Sequence, residues 1–261
     1  MNVRFADLGL LQPGVEPGYK FSDVRQEIIL PFVGAFVIDG KDTVLVERAE
    51  GVTDDFLAVP LLGPVLAIFM HLRRQFVLHG SAVIYNGKAY GFVGHKGAGK
   101  STIAAMLLKN PNVEFLTDDL LVVTEKLAAL RGYPQMKLSD EALLHSDRDL
   151  GHVRPRPIDL FPKNQYLLHS HAPSETVPVG GIFELCRASD AKIEHLDTQQ
   201  AIRTLLIFSY MARFEDRQMS LTEKQDLFRI TTQIAASGRV NRLHVPDSIS
   251  ELDQVIALLD S

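Results

Sequence analysis

The stretch Gly94-His95-Lys96-Gly97-Ala98-Gly99-Lys100-Ser101 constrains this chain more than any other, because it fills the pattern G-x-x-x-x-G-K-[ST] between an apolar run, AYGFV, and a helix-forming run, TIAAMLLK. Glycines at these places allow a tight backbone whose N–H groups close round an anion, the lysine adds a point charge, and the hydroxyl suits a hard cation. Four fixed positions match by accident in only about 1% of chains this long at average residue usage. The flanks agree with the motif. Val83 to Tyr85 and Lys88 to Val93 read as a hairpin round Asn86-Gly87, and Ile103, Met106 and Leu107 give helical spacing from Ser101 to Lys109. A strand therefore enters the loop and a helix N-terminus leaves it, with the positive end of the helix toward a phosphate. The pattern predicts an α/β nucleotide-binding unit, with Gly94 to Ser101 and the next residue, Thr102, around the triphosphate.

A triphosphate site of this kind needs a carboxylate on the metal side. Asp118-Asp119 follows Ser101 after seventeen residues, just past VEFL. One helix, the turn Asn110-Pro111-Asn112 and one strand fill that gap, so the strand that ends at the two aspartates is expected beside the strand that ends at the loop. One of the pair is then expected to hold Mg²⁺ with Ser101 and the other to accept a proton; the residues leave the order open, and Asp118 is taken for the metal and Asp119 for the proton. The plainer alternative is a polar turn between two strands. His79, in FVLHGSAV, precedes the loop by one hairpin strand and is a candidate for contact with phosphate or acceptor, or else a core histidine. His145, His152, His169 and His171 show no metal-ligand spacing and read as structural. Lys137, Arg154, Arg156 and Lys163 are candidate phosphate clamps, with a solvated surface as the alternative for each.

Organisation follows from periodicity. Residues 1–75 read as a small amino-terminal subdomain, with strands at Val33 to Ile38 and Thr43 to Glu47 joined by Asp39-Gly40, then a helix from Pro60 to Arg74. Residues 76–261 read as the catalytic domain. Its strands are expected at Val113 to Leu116, Leu120 to Thr124, Gln165 to His169, Pro178 to Leu185, Lys192 to His195 and Val240 to Val245. Helices are expected at Thr198 to Phe214 and Leu221 to Ser237, the latter opened by a Ser220/Glu223 capping box and closed by Gly238, and a last helix is capped by Ser248 with Glu251. Ser139 to Pro162, with the proline-rich run HVRPRPIDLFP, reads as a long mobile loop. No internal repeat is found.

Bulk properties narrow the classes further. With 46% hydrophobic and 23% charged residues the chain has the composition of an ordinary globular protein. Its lone cysteine, Cys186, excludes an internal disulfide framework and a thiolate zinc site; a packing role in a strand and a reducing compartment fit it. The start MNVRFADLGLLQPG is broken by Asp7 and ended by Pro13-Gly14, so a signal peptide is not expected. The longest apolar stretch, Pro60 to Leu72, contains Gly63 and Pro64 and falls short of the about 20 residues a membrane span needs. It is expected as a buried helix. A net charge of −5 gives no general attraction to nucleic acid or to an acidic membrane. A cytoplasmic protein with no nucleic-acid or membrane partner is expected.

The runs LLGPVLAIFMHLRRQFVLHGSAV, GFVGHKGAGKSTIAAMLL, FLTDDLLVV and GYPQMKL together resemble the HPr kinase/phosphorylase-related proteins, and most of all the stand-alone HPr-kinase-like kinases, some of which phosphorylate a serine of a lasso-peptide precursor. The resemblance runs from about residue 33 to the end and includes PVGGIFEL and NRLHVPDS. It implies an α/β fold with a P-loop core of the HPr kinase/PEP carboxykinase type. It further implies ATP and Mg²⁺ as cofactors, Lys100 and Ser101 as nucleotide and metal contacts, Asp118 and Asp119 as the catalytic carboxylates, and His79 as the histidine near the phosphate. The implied partner is a peptide or protein with an acceptor serine, and the oligomeric state, homo-oligomer included, stays open. Two departures stand out: Thr102 occupies a place where the HPr kinases carry glutamate, and their amino-terminal domain is larger than residues 1–75. Gly132-Tyr133-Pro134 also replaces their glycine-rich signature, so neither HPr as substrate nor reverse phosphorolysis is carried over. The residues leave three activities open: a peptide-serine kinase, a small-molecule hydroxyl kinase, and a nucleotide-binding regulator without transfer chemistry.

Overall fold

A computed structural model of the chain describes residues 1–22, 24–40, 42–140, 142, 151–154, 163–168, 174–214, 220–246 and 253–259. It is a mixed α/β protein whose chain divides into two compact units, Met1–Arg74 with Arg213–Asp226, and Gln75–Ala212 with Leu227–Ser261.

In the first unit β1 (Asn2–Phe5), β2 (Gly18–Phe21), β3 (Arg25–Leu30), β4 (Gly34–Asp39) and β5 (Thr43–Arg48) make one sheet in the order β1-β5-β4-β3-β2. The central strand β4 carries the apolar signal, with Phe36 and Val37 fully buried, and the predicted β4–β5 hairpin forms as read. Strands β1 and β2 lie at the edges with mostly exposed side chains, so they lack the alternation that would have revealed them. The helical segment starts six residues earlier than its apolar run suggests, because Thr53 caps α1 (Asp54–Pro60) by accepting the Phe56 N–H at 3.3 Å. A π-helical piece, Leu61–Val65, then joins α1 to α2 (Leu66–His71); Pro64 offers no N–H there, and Gly63 takes φ −107° and ψ −107°. Asp54–His71 has the length and mean hydropathy, 1.4, of a membrane-crossing helix, but Val65, Ala67, Ile68 and Phe69 are buried at 0–1% exposure within the fold.

The second unit is built on β6 (Phe76–Tyr85), β7 (Lys88–Val93), α3 (Lys100–Leu107), β8 (Val113–Thr117), β9 (Leu120–Val123), β10 (Ala128–Leu130), β11 (Gln135–Leu138), β12 (Gly151–Arg154), β13 (Asn164–Leu168), β14 (Thr176–Arg187), β15 (Lys192–His195), α4 (Thr198–Phe208), α5 (Leu221–Ala236), β16 (Val240–Val245) and α6 (Asp253–Leu259). The boundary between the units falls inside α5. The main sheet runs β10-β9-β6-β7-β14-β16-β15, with β8 also on β6, and β10 pairs with both β9 and β14. Strands β6, β7, β14, β10 and β9 are thereby closed into a ring of paired strands. One face of the sheet packs Phe92, Phe183 and Leu243 with α3, β11, β13 and α6; the other packs Leu78, Val93 and Ile182 with α4 and α5. Burying a phenylalanine such as Phe92, at 0% exposure, contributes about 2–3 kcal/mol.

Three expectations need correction. The strand that leads to Asp118 does not lie beside the loop strand β7: β6, the hairpin partner of β7, fills that edge, and β8 pairs with the far side of β6. The expected helix to Phe214 ends at Phe208, because Ser209 turns extended (φ −56°, ψ 134°) and bridges to Leu78 of β6; a 3₁₀ turn, Tyr210–Arg213, follows. Within the expected loop from Ser139 to Pro162, Gly151–Arg154 is a strand paired with β13 in a three-stranded sheet, β11-β13-β12. His145, Arg156, His169, His171 and the Ser248/Glu251 cap lie outside the described residues. The Ser220/Glu223 capping box forms reciprocally, at 2.9 and 3.2 Å, and Gly238 closes α5 at φ 70°.

Candidate functional site

The loop after β7 keeps its crown open: His95, Lys96 and Gly97 are exposed, Ala98 and Gly99 half-buried. Gly97 and Gly99 take φ 87° and 92°, values that cost a side-chain-bearing residue energy and that turn the chain sharply into α3. Gly99 occupies the N-cap of α3, and no side chain caps it, so the first helical N–H groups face the loop without an internal side-chain acceptor. Lys100 is buried to 9% exposure, and its Nζ donates to the carbonyls of Gly94 at 2.9 Å and His95 at 3.1 Å. That geometry folds the ammonium back across the loop's own concavity. The His95 ring stands edge-on to Phe208 with centroids 5.2 Å apart, and Thr102 lies half-buried in the first turn of α3.

The two aspartates form the turn between β8 and β9. Strands β8 and β9 run along β6 in one direction, pairing Tyr85 to Ala82 and then His79 to Phe76, and Asp118-Asp119 is the interruption between them. Asp119 has φ 68°, and Leu120 N donates to Asp118 O at 2.9 Å, which makes Asp119 the centre of a strained γ-turn. Gly80 N donates to Asp119 O at 3.3 Å, and Thr117 Oγ1 donates to Leu120 O at 2.7 Å, so the bulge is pinned on both sides. Gly132 passes so close that a Cβ there would sit 2.1 Å from Thr117 Oγ1. Bulges of this sort re-aim side chains next to sites. Here the Asp118 carboxylate reaches Ser101 at the start of α3, and the Asp119 carboxylate meets the Lys137 ammonium.

Their surroundings differ. Asp118 Oδ1 accepts from Ser81 Oγ at 2.5 Å and from Ser101 Oγ at 3.0 Å, and its Oδ2 accepts the Lys137 backbone N–H at 2.8 Å. Burial, helped by the neighbouring Asp119 charge, nevertheless pushes the Asp118 carboxyl above the ordinary aspartate range, against the three donors. Burial also pushes Asp119 up, but the Lys137 ammonium, hydrogen-bonded to its Oδ2, outweighs it with help from His79 and Lys163 and holds Asp119 below that range. One carboxylate is thus surrounded by hydroxyls and an amide, and its neighbour by cations. His79 Nδ1 lies 3.1 Å from Asp119 O, an acceptor only, so Nδ1 carries the proton of this contact and Nε2 is left as the lone-pair nitrogen in the neutral ring. Tyr210 packs edge-on against that ring, 6.2 Å between centroids.

The structure therefore brings together Ser101, Asp118, Asp119 and His79 from the expected set, with Lys100 in the same loop as Ser101. Among the candidate clamps, Lys137 joins the cluster, Lys163 is exposed but acts on Asp119 electrostatically, and Arg154 is the last residue of β12. Three contributions were not read from the sequence: the Ser81 hydroxyl, which lies in the run FVLHGSAV but looks like any strand serine, the backbone N–H rather than the side chain of Lys137, and Arg187, which ends β14 far along the chain. Arg187 Nη1 donates to Pro246 O at 3.1 Å, and a Cβ on Gly99 would lie 3.1 Å from its Nη2. Among the described residues no group of three or more His, Cys, Asp or Glu side chains is arranged to enclose a metal. The paired oxygens of Ser101 and Asp118 are still a hard donor set of the kind Mg²⁺ takes when phosphates and waters complete its shell. No family model matches the chain, and a search of curated proteins finds no match either.

Proposed function

We propose that the chain is an HPr-kinase-like P-loop kinase that transfers the γ-phosphate of ATP to a hydroxyl, a serine of a peptide or protein. The C-terminal serine of a lasso-peptide-type precursor is the acceptor that the family resemblance favours. The observation that carries the reading is the convergence of Ser101 Oγ and the strained Asp118-Asp119 bulge beside a loop whose helix N-terminus has no side-chain cap. A purely structural turn has no need of strain, two neighbouring carboxylates and an uncapped helix end in one place.

In this reading the helix N–H groups and Lys100 hold the triphosphate, Lys100 exchanging its two carbonyl contacts for phosphate oxygens. Ser101 and Asp118 would hold Mg²⁺, which when bound supplies charge neutralisation to the β/γ-phosphates. Ser81 and the Lys137 N–H keep the Asp118 carboxylate aimed at Ser101. Asp119, ionised through Lys137, accepts the proton of the acceptor hydroxyl as that oxygen bonds to the γ-phosphorus; the bond from phosphorus to the β-bridging oxygen breaks, and ADP leaves with its electron pair. His79, its Nδ1 held at the Asp119 carbonyl, would contact the acceptor or the phosphate.

The test offers ATP and Mg²⁺ with matched peptides ending in serine, in alanine and in serine amide, and follows phosphate by mass spectrometry alongside ATP consumption. Phosphate on the serine peptide, with more on the free acid than on the amide, is the expected result. A modified small hydroxyl compound with no modified peptide would replace it by the metabolite-kinase reading. Bound but unconsumed ATP under all conditions would leave a nucleotide-binding regulator.

A further inference from the structure

We propose that Arg187 is the contact for the nucleoside end of the bound nucleotide, so that base and ribose lie over the carboxyl ends of β14 and β16; this rests on the kinase reading above. The topology carries the argument. After β7 the chain passes through α3 to β8, on the β6 side of the sheet, whereas after the parallel neighbour β14 it passes to β15, on the far side of β16. Adjacent parallel strands whose connections leave in opposite directions open a crevice at their carboxyl ends, the usual ligand place in such sheets. The Gly94–Gly99 loop follows β7 at this point, and Arg187, the last residue of β14, brings its guanidinium up to Gly99 there.

The direction of the nucleotide follows from the two flanks. Ser101, Asp118, Asp119 and Lys137 mark the γ-phosphate end, all on the β6 side. The acceptor must enter there, so the nucleoside leaves the loop in the opposite direction, toward β14. Arg187 is exposed, and its guanidinium is fixed there by Pro246 O and by van der Waals approach to Gly99. A planar, weakly hydrated cation in that position can stack on a base or donate to ribose and α-phosphate oxygens. A lysine could not reproduce the planar contact.

Isothermal titration with ATP, ADP and inorganic tripolyphosphate, each with Mg²⁺, on wild type, Arg187→Ala and Arg187→Lys tests this. ATP and ADP affinity should fall about tenfold in Arg187→Ala, partly recover in Arg187→Lys, and tripolyphosphate affinity should change less than about twofold. Turnover at saturating ATP should be kept, because a contact equal in ground and transition states raises KM alone. Equal loss for ATP and tripolyphosphate would make Arg187 a brace of the loop and overturn the assignment. Unchanged ATP affinity in Arg187→Ala, with wild type binding ATP normally, would overturn it while leaving the kinase reading intact. A wild-type protein that binds neither ATP nor tripolyphosphate would sink both.

Discussion

On the β6 flank of the Gly94–Ser101 loop stand two carboxylates, two hydroxyls, a lysine and a histidine, joined by hydrogen bonds and strained backbone; on the β14 flank stands Arg187, whose guanidinium donates to the Pro246 carbonyl. The first flank is rich in groups whose charge depends on their neighbours. The second presents a fixed charge. Proton transfer needs the former and orientation of a ligand needs only the latter, so under the proposed kinase reading chemistry falls to one side of the loop and recognition to the other.

The harshest test removes the residue between the flanks. Lys100→Ala should abolish transfer and weaken triphosphate binding strongly, and a rate near wild type in a phosphopeptide assay would break the loop's role altogether. Next in size, Asp119→Asn should lower kcat by about 10²–10⁴-fold with ATP affinity kept, since an amide cannot accept the hydroxyl proton. Asp118→Asn should instead raise the Mg²⁺ concentration needed for half-maximal rate. Reversed outcomes in metal titrations of the two variants would exchange their roles. Ser81→Ala should weaken Mg²⁺ binding by about tenfold or more with the Asp119 chemistry untouched, because it loosens only the aim of Asp118. Titration calorimetry of Mg·ADP against free ADP reads this without turnover.

The smallest expected effect is a displacement along the pH axis. Lys137 holds the folded Asp119 carboxyl below the ordinary range, so in Lys137→Ala burial acts with less opposition and the carboxyl rises. The base is then ionised only at higher pH, and the acid limb of the kcat/KM profile should move upward. A limb that stays in place would mean that Asp119 is not the titrating base. The same sign applies to stability: a carboxylate depressed on folding contributes above its unfolded value and loses that contribution as pH falls through the folded one. Asp118, raised on folding, acts the other way.

The β6 flank was largely legible in the sequence and the β14 flank was not. The loop motif, the Asn86-Gly87 hairpin, Asp118-Asp119 and the α5 caps are local patterns, each fixed by backbone demands within a few residues. Their arrangement was less so. Asp118 reaches Ser101 with β6 between their strands, because β6 receives β8 and β9 end to end on one edge and β7 on the other, an arrangement no spacing along the chain encodes. Arg187 was silent because a strand-terminal arginine is usually solvated; only the parallel pairing of β14 with β7 carries it to Gly99. Strands β1 and β2 lack a buried alternation, and the four-residue strand β12 was hidden by the prolines that follow it.

The left-handed backbone at position 119 also limits how a lineage of such chains can fall silent. Asparagine accepts a positive φ about as readily as aspartate, and glycine more readily, so either replacement would end the proposed proton acceptance and keep the bulge. Valine or isoleucine would contest the turn that joins β8 to β9 and disturb both their registers on β6. Relatives that have abandoned transfer should therefore carry Asn or Gly there far more often than an aliphatic residue, and should remain folded binders of nucleotide. At this position the fold can outlive the reaction.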